Sequence, residues 1–450
     1  MNTTGLSSDE KLPAAKTLPA SDARLAAERS SQSVVTAFVL SGLFFMLLPG
    51  TFLGVWNLIG ISESRTLGTL SPAWLQAHGQ AQIFGWIGSF ILGIGFYSLT
   101  KMQSTRAFPA RSAWAAWLLW TPGAALRWLG GVTGWQWRVL LPLSALLQLA
   151  AFLLFFLAVR QHRPAKPAST ALVPASSKAM PAWMCVVIAS TVMFLFALVL
   201  NAAAMLRLAV EGAGPALPHV FDQQMVVLAV WGILVPTIWG FNARWLPVFA
   251  GFRAPSGPRL LAAYGCSVAG IAFVFAQWLP LAAAAFFLAA VLSIDALHVW
   301  ERAVQPAKLL HVHHSFSAFV RIAYVWLLVS CLLTALAVLF DQQGGLWGAS
   351  RHALTVGFVA GMVFVIGQRV LPAFCGMRIL WSTRLMFASL ALLHLGCLLR
   401  VTLEPLAYEG YWHFAWKLLP GSAIVELAAV SLFALNLLGT LAQPPAHLRP

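Results

Sequence analysis

Long apolar stretches follow one another through almost the whole sequence, and their length decides what the chain can fold into. We distinguish twelve, near residues 34–60, 73–98, 112–132, 138–159, 181–206, 220–243, 260–279, 281–300, 316–340, 352–372, 384–402 and 421–442. Each has about the 17–25 residues that a helix needs to cross roughly 30 Å of hydrocarbon. Lipid cannot satisfy the backbone of an open sheet, and the stretches lack the alternation of barrel strands. With 60% hydrophobic and 9% charged residues, the chain is predicted to be an all-α polytopic membrane bundle.

Three of these segments begin at or near a histidine. His78, His219 and His352 are 141 and 133 residues apart and open the second, sixth and tenth segments. A related motif closes the sixth and tenth, Arg244-Trp-Leu-Pro-Val-Phe-Ala-Gly-Phe-Arg253 and Arg369-Val-Leu-Pro-Ala-Phe-Cys-Gly-Met-Arg378. This repeat predicts three four-helix units, at residues 34–160, 181–303 and 304–443.

The segments outside these units are polar. Residues 1–33 lack a short apolar core and predict a disordered cytoplasmic tail, not a signal peptide. Residues 161–180 are rich in Pro, Ala and Ser and predict a linker. The five cysteines have no C-x-x-C spacing, so we expect no disulfide framework, thiolate zinc site or covalently attached haem.

Basic residues are distributed unevenly between the loops on the two sides of the bundle. Most follow the even-numbered segments, whereas the opposite loops hold chiefly Arg65, Arg138, Arg207, Arg351 and Lys417. The positive-inside rule therefore predicts that both termini are cytoplasmic. The net charge of +15 reflects this topology and attraction to anionic membrane lipid. Without a basic stripe among exposed aromatics, no nucleic-acid partner is expected.

The four histidines in or beside the apolar segments suggest a metal centre. With this topology His78, His219 and His352 lie toward the outer face, and His394 lies about 9 Å below Arg400 on the eleventh segment. Intramembrane ionisable groups usually mark function, and imidazole is a common metal ligand. We expect His78 and His352 to hold one haem between them. His219 and His394 are candidates for copper, another second metal or an open haem face. The structural alternative is interfacial histidines that only form hydrogen bonds.

Other polar groups leave more than one interpretation open. Asp295 and Glu426 are carboxylates in apolar segments that either pair with arginines or belong to a proton path. The cluster His311-Val-His313-His314, close to His298, is predicted at the cytoplasmic interface. A solvated role and loose metal binding are both compatible with that position.

Several motifs resemble one family. Arg351-His-Ala-Leu-Thr-Val-Gly-Phe-Val-Ala-Gly-Met-Val363, followed by Arg369, is similar to the tenth-helix signature of NnrS-type proteins. His78-Gly-Gln80-Ala-Gln-Ile-Phe84-Gly85 resembles that family's His-x-His-Glu-Met-x-Phe-Gly. Asn242-Ala-Arg244-Trp-Leu-Pro-Val-Phe249 and Tyr324-Val-Trp326 resemble motifs of its sixth and ninth helices. The resemblance implies a bacterial inner-membrane protein of nitric oxide metabolism, denitrification or nitrosative-stress response. It also implies binding of haem b and copper.

The chain also departs from the family pattern. Gln80 and Arg321 stand where histidines are expected, Ala81 where Glu is expected, and Leu371-Pro-Ala-Phe-Cys-Gly376 replaces Gly-His-Thr-Gly-Arg. More distantly, histidines on helices two, six and ten resemble subunit I of haem-copper oxidases. That subunit's adjacent His-His pair and His-x-x-x-Tyr crosslink have no counterpart here, so four-electron oxygen reduction is not expected.

Two other functions remain open at this stage. Repeats and intramembrane charges also occur in secondary transporters, although those usually have two inverted halves with broken helices. A haem sensor or assembly protein without turnover would have the same sequence features. The sequence therefore does not decide whether the protein is an enzyme, and it does not identify an electron donor.

Overall fold

The described part of the chain is a bundle of long helices. A computed structural model describes residues 20–66, 68, 70–102, 110–161, 180–309 and 311–444, and these residues contain no strand. Twelve helices follow in order: α1 (residues 20–64), α2 (residues 72–102), α3 (Ala110–Thr133), α4 (Trp137–Gln161), α5 (Ala182–Glu211), α6 (His219–Phe249), α7 (Gly257–Phe275), α8 (Leu279–Ala296), α9 (Phe316–Phe340), α10 (Gly345–Phe374), α11 (Thr383–Tyr408) and α12 (Ala415–Ala442). The predicted all-α polytopic bundle is confirmed.

Among the described residues, eleven of these helices are long and apolar enough to cross a membrane. The exception is α3, which carries Arg127 and several glycines on its buried face. Small residues allow close helix packing where lipid supplies no hydrophobic drive. In contrast to α3, α5 has an apolar outer face. Its exposed side chains include Ile188, Val192, Phe196 and Val199. Faces of this kind are suited to lipid, so the fold is that of a multi-pass membrane protein.

The first helix begins earlier than the sequence predicts. It is already helical at Ala20. Residues 20–33, which we assigned to a disordered tail, therefore belong to α1. The segment Ala-Arg-Leu-Ala-Ala-Glu-Arg consists of good helix formers that extend an already nucleated helix. Residues 1–19 and most of the predicted linker, 162–179, lie outside the described residues.

Each helix packs against the next along the chain, and α12 packs back against the second half of α1. The contacts of α4 with α5, of α8 with α9 and of α12 with α1 therefore close a ring. The division into three four-helix units remains a prediction.

The helices that carry the repeated histidines are the interior ones. In the most apolar stretch of each helix, the buried share of residues is 72% in α2, 67% in α6 and 78% in α10. The share is 61% in α1 and lower in the other membrane-length helices of the described chain. All three contribute residues to one cavity. The sequence expectation that segments two, six and ten surround shared space agrees with this arrangement.

π-helical segments interrupt these three helices and also α1. They span Ala81–Gly88 in α2, Val230–Leu234 in α6, Ala353–Ala360 in α10 and Met46–Phe52 in α1. In α2 and α10 the π segment begins within three residues of the histidine. Such segments are rare and occur often at functional sites, because the wider turn displaces backbone groups from the regular ladder.

The repeated Arg-x-Leu-Pro motif marks where α6 and α10 end. Its prolines, Pro247 and Pro372, lie in the last turn of each helix. Its glycines, Gly251 and Gly376, have φ of +72° and +116°. Glycine adopts such angles without the steric cost that other residues meet. The repeat therefore encodes two equivalent helix ends.

The predicted orientation can be tested directly. A fluorescent protein fused after residue 444 should fold and fluoresce, because the positive-inside rule places this end in the cytoplasm. Alkaline phosphatase fused after Thr133, in the turn before α4, should be active because that turn is predicted outside. The reverse pattern of fluorescence and phosphatase activity would refute the orientation.

Candidate functional site

His78 is held by a backbone carbonyl of the neighbouring helix. Its Nδ1 lies 2.8 Å from the carbonyl oxygen of Gly50, in the π segment of α1. A carbonyl can only accept a hydrogen bond, so Nδ1 carries the proton and Nε2 keeps its lone pair. The ring also lies directly beside Gly54, where a Cβ atom would be 2.6 Å from His78 Cε1. Two glycines of α1 thus set the position and tautomer of this imidazole.

His352 has the same tautomer for a related reason. Its Nδ1 lies 3.0 Å from the carbonyl oxygen of Gly348, one turn earlier in α10, and 3.3 Å from Oε2 of Glu404 in α11. Both neighbours are acceptors, so the proton again resides on Nδ1 and Nε2 is free. Metal-bound histidines are usually oriented in this way, by a carboxylate or carbonyl on the other ring nitrogen.

Glu404 is itself fixed by an arginine. Arg400 Nε and one terminal nitrogen lie 3.1 and 3.2 Å from the two carboxylate oxygens, and both side chains are buried. This bidentate pair is the strong form of a charge-assisted hydrogen bond. The carboxylate approaches α10 so closely that a Cβ at Gly348 would clash with it. Glycine at 348 is therefore required for Glu404 to reach His352.

A second carboxylate faces the same group of side chains. Glu426 of α12 is within electrostatic range of His352, Arg400 and Glu404. Its Oε1 and the Nη1 of Arg400 are buried and have no hydrogen-bond partner in the described part of the chain. Buried polar atoms are normally paired, so an unpaired one points to water or a ligand. Of the two choices for Glu426, direct ion pairing with an arginine is not seen among the described residues.

The two central histidines belong to one cluster. His78 is within electrostatic range of both His352 and Arg400. We define the cluster as His78, His352, Arg400, Glu404 and Glu426. It draws on α2, α10, α11 and α12, with Gly50 and Gly54 of α1 behind it. Both imidazoles are half-buried, and in each of them Nδ1 is the nitrogen that has an acceptor.

The other two candidate histidines lie elsewhere. His219 is the exposed first residue of α6, where its electrostatic partner is Asp222. His394 is buried and stacks on Phe319 at 5.6 Å, and no described residue forms a hydrogen bond with either of its ring nitrogens. It lies against Gly361, about 13 Å further along α10 than His352. The structure therefore does not place His394 at the level of the cluster, and the metal role of these two histidines remains a prediction.

Within the described residues, no three His, Cys, Asp or Glu side chains are grouped so that they could hold a metal ion. This includes the histidines at the predicted cytoplasmic interface. The His313 and His314 rings are 4.0 Å apart, and burial together with the charge of His314 lowers the pKa of His313. His298 forms a hydrogen bond with Glu301, and Asp295 forms a salt bridge with Arg259 at 2.8 Å.

Hydrogen bonds tie the beginnings of the three interior helices together. The Gln76 amide of α2 donates to and accepts from the backbone of Leu217, just before α6, with both distances at 2.9 Å. Arg351, next to His352, donates to Gln223 of α6. These contacts fix α6 relative to the two helices that carry the cluster.

The comparison with known proteins agrees with this architecture. A family model described as NnrS protein matches residues 36–444. The chain belongs to the NnrS family. No curated protein matches it. The match spans all twelve helices, so the resemblance drawn from short motifs extends to nearly the whole chain.

The structure shows the surroundings of two residues that depart from the NnrS pattern. Arg321, in place of a histidine, donates to the carbonyls of Val299 and Glu301 at 3.0 Å and so holds the segment after α8. Gln80, which also stands in place of a histidine, has a buried amide oxygen with no hydrogen-bond partner among the described residues. Neither residue can supply an imidazole ligand.

Sequence reasoning missed Glu404 and the carbonyl of Gly50. The eleventh segment was ended at residue 402, whereas α11 continues to Tyr408. The signal that could have identified Glu404 is the i, i+4 spacing from Arg400, which places opposite charges on one face of an apolar helix. A backbone carbonyl has no comparable sequence signal.

Removing the charge of Glu404 should destabilise the protein strongly. Glu404→Ala leaves Arg400 buried without its bidentate partner, and we expect a loss of about 3–5 kcal/mol in the free energy of unfolding. Thermal unfolding in detergent measures it. The control is Glu211→Ala, which breaks the exposed Arg207–Glu211 pair of identical spacing on α5 and should leave the melting temperature unchanged. Equal effects of the two substitutions would contradict the structural role of the buried pair.

A methyl group at Gly54 should displace His78. Gly54→Ala places a Cβ inside contact distance of the ring, and overpacking of this kind costs about 1–3 kcal/mol. The matched control is Gly79→Ala, beside His78 in sequence, where a Cβ meets open space and alanine is the better helix former. Thermal unfolding of both variants provides the comparison. Equal stability of the two would contradict the tight contact.

Proposed function

We propose that this NnrS protein binds haem between His78 and His352 and serves nitric oxide metabolism or the response to nitrosative stress. The observation that carries the proposal is the shared tautomer: in both imidazoles Nδ1 faces an acceptor, which leaves Nε2 as the coordinating atom. Haem iron accepts two such neutral imidazoles as axial ligands. When bound, the haem would supply a redox-active iron able to exchange electrons or to meet nitric oxide.

The surrounding residues support this assignment by their chemistry. A carboxylate bonded to the distal nitrogen of a ligand histidine makes the imidazole a stronger donor. Glu404 supplies that carboxylate to His352, whereas His78 has only the weaker Gly50 carbonyl. The two ligands would therefore differ in basicity. Arg400 orients Glu404, so it would act on a bound haem iron only through Glu404 and His352.

The proposal does not include copper. The described residues bring no three ligand side chains together, and His394 is a single buried imidazole beside Phe319 and Gly361. Copper favours several nitrogen or sulfur ligands at one centre. We therefore assign no copper-dependent chemistry to this chain.

The haem proposal is tested by the optical spectrum of the purified protein, oxidised and reduced, with haem extraction. We expect a Soret band and the spectrum of six-coordinate low-spin haem. His78→Ala and His352→Ala should each abolish the low-spin spectrum, because each removes one axial ligand. His219→Ala, at an exposed helix start, is the control and should leave it intact. A protein without extractable haem, or equal effects from all three substitutions, would overturn the assignment.

A further inference from the structure

Two arginines near the beginnings of α6 and α10 form no salt bridge with any described carboxylate. Arg127 lies in α3, and Arg351 immediately precedes His352 in α10. Both are within electrostatic range of Asp222, in the first turn of α6. The two guanidinium groups therefore share one nearby carboxylate without contacting it.

Arg127 is the more isolated of the two arginines. Its side chain is buried, with the residue only 4% exposed, and its described hydrogen bond goes to the thioether sulfur of Met205 in α5. A thioether is a weak acceptor, whereas a guanidinium has five N–H donors in a planar fork. Most of these donors thus have no oxygen acceptor in the described part of the chain. Because buried charged groups are normally paired, this arrangement points to an anion that completes it.

Neutral groups hold Arg351 in place. Its Nε donates to the carbonyl of Trp347 at 3.2 Å, and its Nη1 donates to the side-chain oxygen of Gln223 in α6. Neither acceptor neutralises the positive charge. Arg127 and Arg351 together therefore carry two positive charges against the one negative charge of Asp222.

The other carboxylates near Arg351 are engaged elsewhere. Glu404 is within electrostatic range of Arg351, but it forms the bidentate pair with Arg400. Asp341 accepts hydrogen bonds from two backbone amides at the beginning of α10, at 2.6 and 2.7 Å. The space beside Arg127 and Arg351 can therefore receive a further anion.

These arginines are close to the helices that carry the two proposed haem ligands. Gly131, one turn after Arg127, packs against the residue before His78: a Cβ at Gly131 would be 3.4 Å from the Cβ of Ala77. Arg351 is the neighbour of His352 in sequence. An anion held by both arginines would therefore lie beside α2 and α10.

We propose that Arg127 and Arg351 bind the propionate carboxylates of the haem. This inference rests on the proposed function, because it assigns residues to the edge of the same cofactor. Moving carboxylates into a membrane bundle is costly unless cations receive them. A guanidinium stays charged when buried, and its fork matches the two oxygens of a carboxylate. The two arginines would thereby determine which edge of the macrocycle faces α3 and α6.

The test compares haem with haem dimethyl ester, in which both carboxylates are capped and uncharged. The full chain, purified from cells that cannot make haem, is titrated with each porphyrin, and the low-spin spectrum gives the dissociation constant. We define the preference as the ratio of the ester constant to the haem constant. Arg127→Met and Arg351→Gln should each lower this preference about tenfold or more, since each removes a charge-assisted hydrogen bond.

The matched control is Arg207→Met, which removes an arginine whose side chain is 78% exposed, two residues after Met205 on α5. It should leave the preference unchanged. Measuring all variants in one detergent cancels the different partition of the two porphyrins into micelles. If the first variants do not fold, Arg127→Lys and Arg351→Lys replace them. These keep the charge but lose the planar fork, so we expect a smaller loss that is still specific to haem.

The outcomes separate this inference from the proposed function. An unchanged preference in the arginine variants, or an equal loss of affinity for haem and for its ester, would overturn the inference and leave the haem proposal standing. If neither porphyrin gives a low-spin spectrum with the wild type, the haem proposal itself is rejected, and this inference with it.

Discussion

The hydrogen bond on Nδ1 of each central imidazole governs how the rest of the site is arranged. It leaves the opposite ring nitrogen, Nε2, as the atom available to the interior. In α1 this requires the carbonyl of Gly50, in the π segment, and a glycine at 54 that leaves room for the ring. In α10 and α11 it requires a glycine that admits Glu404 and an arginine that holds it. The unusual backbone and the buried charges thus serve the same end, the orientation of two side chains.

Much of the architecture could be predicted from the sequence. The lengths of the apolar stretches predicted twelve helices, and the histidine spacing predicted which three lie inside. Both follow from local patterns that the membrane makes strict, because every backbone group must be satisfied within its own helix. The repeat also led us to expect that His78 and His352 lie near each other, and the two are within electrostatic range. Their assignment as haem ligands remains a prediction.

The parts that escaped prediction depend on tertiary contacts. Glu404 lies beyond the point where the apolar pattern fades, and only its approach to His352 in space gives it a role. His394 has the same residue type and a similar apolar setting, yet packing places it beside Phe319 and away from the cluster. The beginning of α1 was misplaced because helix propensity extends a helix beyond its apolar core. Sequence patterns describe single helices well, but they do not determine which faces meet.

The contact between α12 and α1 has a consequence for how the protein is made. The cluster takes Gly50 and His78 from the first two helices and Glu426 from the last. During synthesis the early helices enter the bilayer hundreds of residues before α12 exists. The cluster is therefore incomplete while α12 has not yet been made. It forms only when α12 has been made and packs against α1, so any cofactor must be loaded after α12 has entered the bilayer.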